Sequence, residues 1–286
     1  MNLLASIPSP SNNVLELGPL EIHYYGIAIG IGVLVAYWAT FRRYEGYGGD
    51  PAVVERTVLW AVGIGFLGAR LAYVTTHTAR FEGEWYKMFF IWEGGLALFG
   101  GLIAGAIAAW ATLRRHNGSL PKFADGAAVG IPLAQAIGRL GNYFNQELFG
   151  TPSTLPWAVE IDSIHRPADF RTFETFHPTF LYEMLWNLVL TVPIVLLAER
   201  SGKVRQGGLI FVYAMVYGTG RFLMELLRTD TTFRVLGISR NGWVSVLAIV
   251  GGALALRWWN RRGERETAGP EGPAVDDEVE AEGSAG

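Results

Sequence analysis

The sequence predicts an all-α integral membrane protein with seven transmembrane helices, a small external head segment and a disordered C-terminal tail. Of its 286 residues, 50% are hydrophobic and 17% are charged, against about 25% charged residues in an average soluble domain. Seven apolar runs also approach the roughly 20 residues that a helix needs to cross a bilayer. Lipid is therefore the predicted solvent around most of the chain.

The seven predicted spans follow one another along residues 1–262, which we interpret as one membrane domain. They cover residues 22–41, 53–74, 94–113, 123–140, 179–198, 207–227 and 242–259. The long connection 141–178 is the predicted head segment, and its letters WAVEI indicate one short strand. This segment either guides a second substrate or is a simple tether.

Lysine and arginine are concentrated at alternate ends of these spans. They lie between spans one and two, three and four, and five and six, and again after span seven. The positive-inside rule places these ends in the cytoplasm. The N-terminus is then outside and the C-terminus cytoplasmic, although the outer loop 228–241 also carries three arginines.

Composition limits the remaining possibilities. Residues 263–286 are acidic and lack aromatic residues, which is typical of a disordered cytoplasmic tail. The chain has no cysteine, so disulfides and a cysteine nucleophile of its own are excluded. No metal-ligand or phosphate-loop motif is present, and basic residues lie at membrane boundaries. We therefore expect no metal, no cofactor and no nucleic-acid partner.

Few ionisable residues lie inside the predicted spans, where each costs about 2.5 to 3.5 kcal/mol on insertion scales. They are Arg70, Asp125, Arg139, Glu183, Arg221 and Glu225. All except Asp125 lie toward the outer half of the bilayer. Such residues often mark a substrate site, so we predict one near the outer leaflet.

The segment GRLGNYFNQELFG, residues 138–150, holds the densest group of polar residues. A helical spacing would place one polar stripe on a single face. Its members are Arg139, Asn142, Tyr143, Gln146 and Glu147. Gly138 and Gly141 would let a backbone or a lipid headgroup approach closely. The alternative is that Arg139 pairs internally with Glu147 or caps the helix end.

The segment YGTGRFLMELLRTD repeats this pattern, with Arg221, Glu225 and Arg228 at i, i+4 and i+7. One glutamate could then hold two guanidinium groups on one helix face. The surplus positive charge, with Arg139 nearby, would suit a phosphate, which a guanidinium binds in a bidentate way. For Arg228 and the neighbouring Asp230, however, we favour an ordinary interfacial role.

Two further segments, IHYYG and HPTFLYE, bring polar side chains to the outer ends of spans one and five. Tyr24 is typical of an interfacial tyrosine. His177 precedes Pro178 at a helix start, where a capping or hinge role competes with chemistry. Glu183 lies deeper in the apolar run, so a structural role explains it less readily.

In this order, IHYYG, IWEGGLALFGGLIAG, GRLGNYFNQELFG, FHPTFLYE and YGTGRFLMELLR resemble the prolipoprotein diacylglyceryl transferase family over about residues 18–259. The resemblance implies a transferase of the bacterial plasma membrane. It would move the diacylglyceryl group of phosphatidylglycerol to the lipobox cysteine thiol of a prolipoprotein. The products are a thioether and glycerol phosphate, and we expect the protein to be a monomer.

The resemblance also implies roles for individual residues. Arg139 would bind the lipid phosphate and Arg221 would stabilise the departing glycerol phosphate, with Glu147 completing the catalytic set. Other residues would shape or line the substrate site. They are Asn142, Gly150, Tyr25, His177 and Glu225. Fixed guanidinium groups in a site of low dielectric are worth roughly 3 kcal/mol per well-placed donor.

One position departs from the family pattern. Many members carry histidine in GGxxxHGG, a candidate base for the thiol, but this chain has GGLALFGG and Phe99. Phenylalanine cannot accept a proton. The base is then Glu147 or His177, or else a positive field lowers the thiol pKa from about 8.5.

Two other classes of function compete with the transferase. A transporter for a small organic anion would also use buried arginines, but it would favour a site at the membrane midplane and repeated halves. A non-catalytic lipid-binding homologue is the third possibility, because Phe99 replaces the histidine.

Overall fold

The computed structural model describes residues 6–18, 20–90, 94–229 and 234–267 of the chain. It is mostly helical, and each predicted apolar run corresponds to one long helix. In the described residues these are α1 (Tyr24–Gly46), α2 (Pro51–Thr76), α3 (Leu98–Arg115), α4 (Leu120–Phe144), α5 and α6 (Thr179–Leu185 and Val192–Arg200, one interrupted helix), α7 (Leu209–Glu225) and α8 (Arg240–Thr267).

Four of the described helices are long and apolar enough to cross a membrane. They are Tyr24–Gly46, Pro51–Thr76, Thr179–Arg200 and Arg240–Arg262. Their outward faces carry large apolar side chains, such as Leu34, Leu59 and Leu247, which are 66%, 71% and 69% exposed. A hydrocarbon solvent accounts for this exposure, since water would disfavour so extensive an apolar surface.

Small residues allow the helices to pack closely in pairs. α1 lies along α4, α2 along α3, and α7 along α8. At the α2–α3 contact, a Cβ added to Gly100 would lie 2.6 Å from the carbonyl oxygen of Gly68. A Cβ added to Gly68 would likewise lie 2.8 Å from the carbonyl oxygen of Gly100. Only glycine permits this backbone approach, as is usual for helix contacts in membranes.

The fifth predicted span is interrupted in its middle. α5 and α6 are joined by a π-helical turn, Trp186–Thr191. Pro193 lies at the start of α6, and its missing N–H cannot continue the α-helical hydrogen-bond ladder. A π turn accommodates such a defect. Asn187 and Thr191 lie on this turn, and both are fully buried.

A small β-structure lies at the N-terminus and in the head segment. β1 (Val14–Leu17) and β2 (Leu20–His23) form an antiparallel hairpin, so α1 begins at Tyr24 and not at the predicted residue 22. In the head segment, β3 (Val159–Glu160) pairs with β4 (Thr175–Phe176), which confirms the predicted strand. Ile7 extends this sheet through a parallel bridge to Val159.

The head segment has a core of its own. Five buried side chains form it: Phe149, Val159, Ile161, Phe176 and Phe180. Phe149 and Phe180 flank the end of α4 and the start of α5, so the head is attached directly to the membrane helices. A second short hairpin, β5 (Arg234–Val235) with β6 (Ile238–Ser239), precedes α8.

The C-terminal helix is longer than predicted. α8 continues beyond residue 262 to Thr267. Most of the predicted acidic tail, residues 268–286, lies outside the described residues.

Arg70 organises the connection between α2 and α3. Its guanidinium donates to four backbone carbonyl groups, those of Met88, Lys87, Gly94 and Gly95, at 2.7, 2.7, 2.6 and 3.1 Å. The side chain is buried. This ionisable residue therefore holds a loop in place.

We expect Arg70→Met to loosen this connection, because four buried carbonyl groups would lose their donor, at about 1 to 3 kcal/mol for each group left unsatisfied. Thermal unfolding in detergent should shift downward, and hydrogen exchange should accelerate in residues 77–90. Arg80→Met is the control, since the Arg80 side chain is exposed and, among the described residues, it hydrogen-bonds the Tyr73 hydroxyl. Equal stability and protection in the two variants would contradict this role.

Candidate functional site

The site begins at the end of α4. This helix carries Arg139 and Asn142 and stops at Phe144. Beyond it the chain turns sharply, because Gln146 and Leu148 have φ angles of 50° and 58°. Arg139 and Asn142 therefore share a helical face as predicted, whereas Glu147 reaches the same region from a turn.

Asn142 connects the guanidinium group of Arg139 to the carboxylate of Glu147. Arg139 Nη1 donates to Asn142 Oδ1 at 3.2 Å, and Asn142 Nδ2 donates to Glu147 Oε1 at 2.8 Å. Asn145 adds a longer hydrogen bond to the same oxygen at 3.4 Å. The amide satisfies both neighbours while buried, so Arg139 and Glu147 are bridged through Asn142 and do not form the direct pair that was the alternative interpretation.

The predicted polar stripe is wrong at Gln146. The helix has already ended there, and the left-handed backbone turns the side chain toward the head segment. Gln146 Nε2 donates to Asp162 Oδ2 at 2.6 Å, and the Asp162 amide donates back to Gln146 Oε1 at 2.7 Å. The hydrogen bonds from Gln146 and Ser9 hold the pKa of Asp162 below its usual range. Gln146 thus fastens the head segment to α4.

Glu183, on α5, lies between the two arginines of the site. One carboxylate oxygen pairs with Arg139 Nη2 from α4. The other accepts from Arg221 Nη1 of α7 at 3.0 Å. The side chains of the three residues are 16%, 5% and 14% exposed in the order Arg139, Glu183, Arg221. One carboxylate therefore joins three helices.

Glu225 extends this network at its other end. It pairs with Arg221 Nη2 at 2.8 Å, as the i, i+4 spacing predicted, and it accepts from Ser239 Oγ at 2.7 Å. α7 ends at Glu225, however. Arg228 lies beyond the helix, where its backbone bridges Gly150, so the predicted i+7 position on the helix face is wrong.

Positive and negative charges are equal in number among the four ion-paired side chains of the network, whereas the predicted surplus also counted Arg228, which is buried beyond the end of α7. Arg139 and Arg221 are already matched by Glu183 and Glu225. The earlier count considered the arginines with Glu225 and omitted Glu183, which comes from a different helix. Buried arginines need such partners, because an unpaired charge at this depth is strongly disfavoured.

Tyr25 lies against the same part of α4. A Cβ added to Gly141 would lie 2.3 Å from the Tyr25 ring, so this glycine makes room for the tyrosine. Arg139 and Glu147 both act electrostatically on the Tyr25 hydroxyl. Tyr25 therefore lies close to Arg139 and Glu147, as predicted.

Gly150 and His177 are paired through their backbones. The Gly150 amide donates to the His177 carbonyl at 2.9 Å. A Cβ at Gly150 would lie 2.9 Å from the Leu227 oxygen, so the glycine packs within protein. His177 Nδ1 lies 3.2 Å from the Tyr182 hydroxyl. Among the described residues, its ring makes no hydrogen bond to the arginines or Glu147.

Phe99 lies at the start of α3 and is 53% exposed. The preceding turn is held by Arg70 through Gly94 and Gly95, and Gly100 packs against α2. The backbone around Phe99 is therefore firmly placed, although its side chain carries no proton-accepting atom.

Two shallow depressions border the network. One is lined by Glu183 and Arg221 together with Trp186, Asn187, Tyr217 and Gly220. Another lies under the head segment and reaches Asn142 and Glu147. In the described part of the chain, no group of three or more His, Asp or Glu side chains could hold a metal ion.

The sequence marked Glu183 as an ionisable residue deep in an apolar run, but it indicated no specific role for this residue in the site. The sequence gives no comparable indication that Tyr217 lies near the site. It is near Arg139, Arg221 and Glu183 because α7 packs beside α4 and α5. Both positions depend on tertiary packing.

The site occurs in a chain with clear relatives. Residues 12–258 match the family model of prolipoprotein diacylglyceryl transferase. The phosphatidylglycerol–prolipoprotein diacylglyceryl transferase 2 of Streptomyces coelicolor is 44% identical over 256 residues, covering 88% of this chain and 80% of the relative. The transferase of that name from Cutibacterium acnes is 44% identical over 254 residues, covering 88% and 85%.

A further relative, the phosphatidylglycerol–prolipoprotein diacylglyceryl transferase of Frankia alni, is 46% identical over 257 residues, covering 89% of this chain and 67% of the relative. The matches span the helices that carry Arg139, Glu183 and Arg221. On this similarity, the chain belongs to the prolipoprotein diacylglyceryl transferase family.

Proposed function

We propose that this protein transfers the diacylglyceryl group of phosphatidylglycerol to the lipobox cysteine thiol of prolipoproteins. The observation that carries the proposal is the pair of buried arginines, Arg139 and Arg221, which share Glu183 at the junction of three helices. Family membership supplies the reaction, and the paired guanidinium groups suit the phosphate of its lipid substrate.

The phosphate of the lipid binds Arg139 and Arg221, and its glycerol headgroup lies toward Asn142 and Glu147. A carboxylate accepts hydrogen bonds from hydroxyl groups, which suits the two hydroxyls of that headgroup. Tyr25 lines the same region. Gly150 and His177 act less directly, because they fix the connection between the head segment and the membrane helices.

In the reaction, the thiol sulfur attacks the terminal glycerol carbon of the diacylglyceryl group. A carbon–sulfur bond forms while the bond between that carbon and the phosphate oxygen breaks. The electron pair remains on the phosphate oxygen, so glycerol phosphate leaves with increased negative charge. Fixed guanidinium groups stabilise this charge at the moment when it develops.

Glu147 is the proposed acceptor of the thiol proton. Its carboxylate is held by Asn142 and Asn145, next to the proposed position of the phosphate. His177 is a weaker candidate because its ring contacts Tyr182. A positive field alone is also weaker than the sequence implied, since Glu183 and Glu225 offset the arginines.

We further propose that seven helices cross the bacterial plasma membrane, with the N-terminus outside and the C-terminus in the cytoplasm. α3, α4 and α7 would then cross beside the four longer apolar helices. The 17 residues of α7 reach about 25 Å at 1.5 Å per residue, close to the hydrocarbon thickness. The site would lie near the outer leaflet, and the enzyme would act as a monomer.

We expect Arg139→Gln to lower turnover by roughly 10²- to 10³-fold, the usual effect of removing one donor that stabilises developing charge. The assay uses purified protein, labelled phosphatidylglycerol and a lipobox peptide, followed by mass analysis of the peptide cysteine.

Arg43→Gln is the matched control for this substitution. Arg43 also pairs with a glutamate, Glu199, at 2.6 Å, and its side chain is 19% exposed. It joins α1 to α6 away from the site, so we expect this variant to retain wild-type turnover. Equal activity of the two variants, or a wild-type protein that adds no diacylglyceryl mass, would contradict the proposal.

We expect the wild-type protein to turn over with phenylalanine at position 99, and Phe99→His to be unnecessary for activity. Glu147→Gln should lower kcat/KM by about 10²-fold in both the wild-type and the Phe99→His background. Activity that appears only in Phe99→His, or a wild-type kcat/KM in Glu147→Gln, would rule out Glu147 as the base.

A further inference from the structure

Glu183 occupies donors that the proposed lipid phosphate requires. Its two oxygens form separate ion pairs with Arg139 and Arg221, much as two oxygens of a phosphate would. The carboxylate is 5% exposed, so water contributes little to its stabilisation. In the structure, Glu183 is therefore the internal anion of the site.

The four ion-paired side chains of the network carry no surplus positive charge for a second anion. Arg139 and Arg221 together carry two positive charges, and Glu183 and Glu225 carry two negative charges. A phosphodiester would make the group negative by one charge. In a region of low dielectric such an excess is costly, and moving one carboxylate away from the arginines reduces it.

We infer that Glu183 is an exchangeable counter-ion, which gives up the arginines when a phosphate enters and regains them when the product leaves. This inference rests on the proposed function. Glu183 is the residue best placed to exchange, because it is the carboxylate of the described network that pairs with both arginines. Glu225 is anchored further by Ser239 at 2.7 Å.

The exchange favours release of the product over loss of the substrate. The phosphate of phosphatidylglycerol is a diester with one negative charge. Glycerol phosphate is a monoester with about 1.5 to 2 negative charges near pH 7. A nearby carboxylate repels the product more strongly than the substrate. Glu183 therefore selects for the phosphodiester and speeds the departure of the monoester.

The opposite possibility is that Glu183 only orients the arginines and stays in place when phosphate binds. Terminal guanidinium nitrogens carry two hydrogens each, so they could donate to both anions. The two possibilities predict opposite changes in phosphate affinity when the charge of Glu183 is removed. If Glu183 exchanges, removing its charge tightens phosphate binding, whereas if it only orients the arginines, removal weakens binding.

The test measures glycerol phosphate binding to full-length Glu183→Gln in detergent, by calorimetry and by inhibition of transfer, with glycerol as the uncharged control. We expect the dissociation constant and the inhibition constant to fall roughly tenfold or more. The KM for phosphatidylglycerol should fall less, and kcat should drop as product release slows. Unchanged or weaker glycerol phosphate binding would overturn the inference.

Two comparisons keep this result interpretable. Glu225→Gln also removes one charge from the network but leaves Glu183, so it should tighten binding by a smaller factor. If Glu183→Gln does not fold, the Glu225→Gln result decides: weaker binding there contradicts charge competition. Failure of the proposed function is a separate outcome, in which the wild-type protein transfers no diacylglyceryl group at all.

Discussion

The sharing of one buried carboxylate by two arginines is the constraint on which the site depends. Glu183 lies on α5, and its partners Arg139 and Arg221 lie on α4 and α7. Removing one member of such a group would leave an uncompensated charge, which typically costs 3 to 5 kcal/mol. The network therefore couples the packing of three helices to the position of the functional groups.

Local features of the backbone hold the groups of this network in position. α4 stops at Phe144, so the following turn can bring Glu147 back to Asn142. Gln146 uses the same turn to hold the head segment through Asp162. The π turn after α5 absorbs the defect at Pro193. Each of these backbone features lies within or beside a helix that carries a charged residue of the site.

The helices and part of the site could be predicted from the sequence because their signals are local. Long apolar runs mark the helices, and the spacing of Arg139 to Asn142 and of Arg221 to Glu225 places each pair on one face. The head strand was likewise visible in WAVEI. These features depend on hydrophobicity and on periodicity within one segment.

The remaining features depend on contacts between segments or on backbone angles that the sequence does not reveal. Gln146 and Leu148 adopt positive φ although neither is glycine. The sequence therefore did not indicate where α4 ends. The pairing of Glu183 with both arginines arises only when α4, α5 and α7 meet. That meeting also changes the charge balance, because Glu183 from a separate helix offsets one of the predicted positive charges.

The most direct test of the central claim is an experimental structure of the protein with a non-hydrolysable phosphatidylglycerol analogue. We predict that the lipid phosphate lies within about 3 Å of guanidinium nitrogens of both Arg139 and Arg221. A phosphate bound elsewhere, with both arginines still paired to Glu183, would contradict the account.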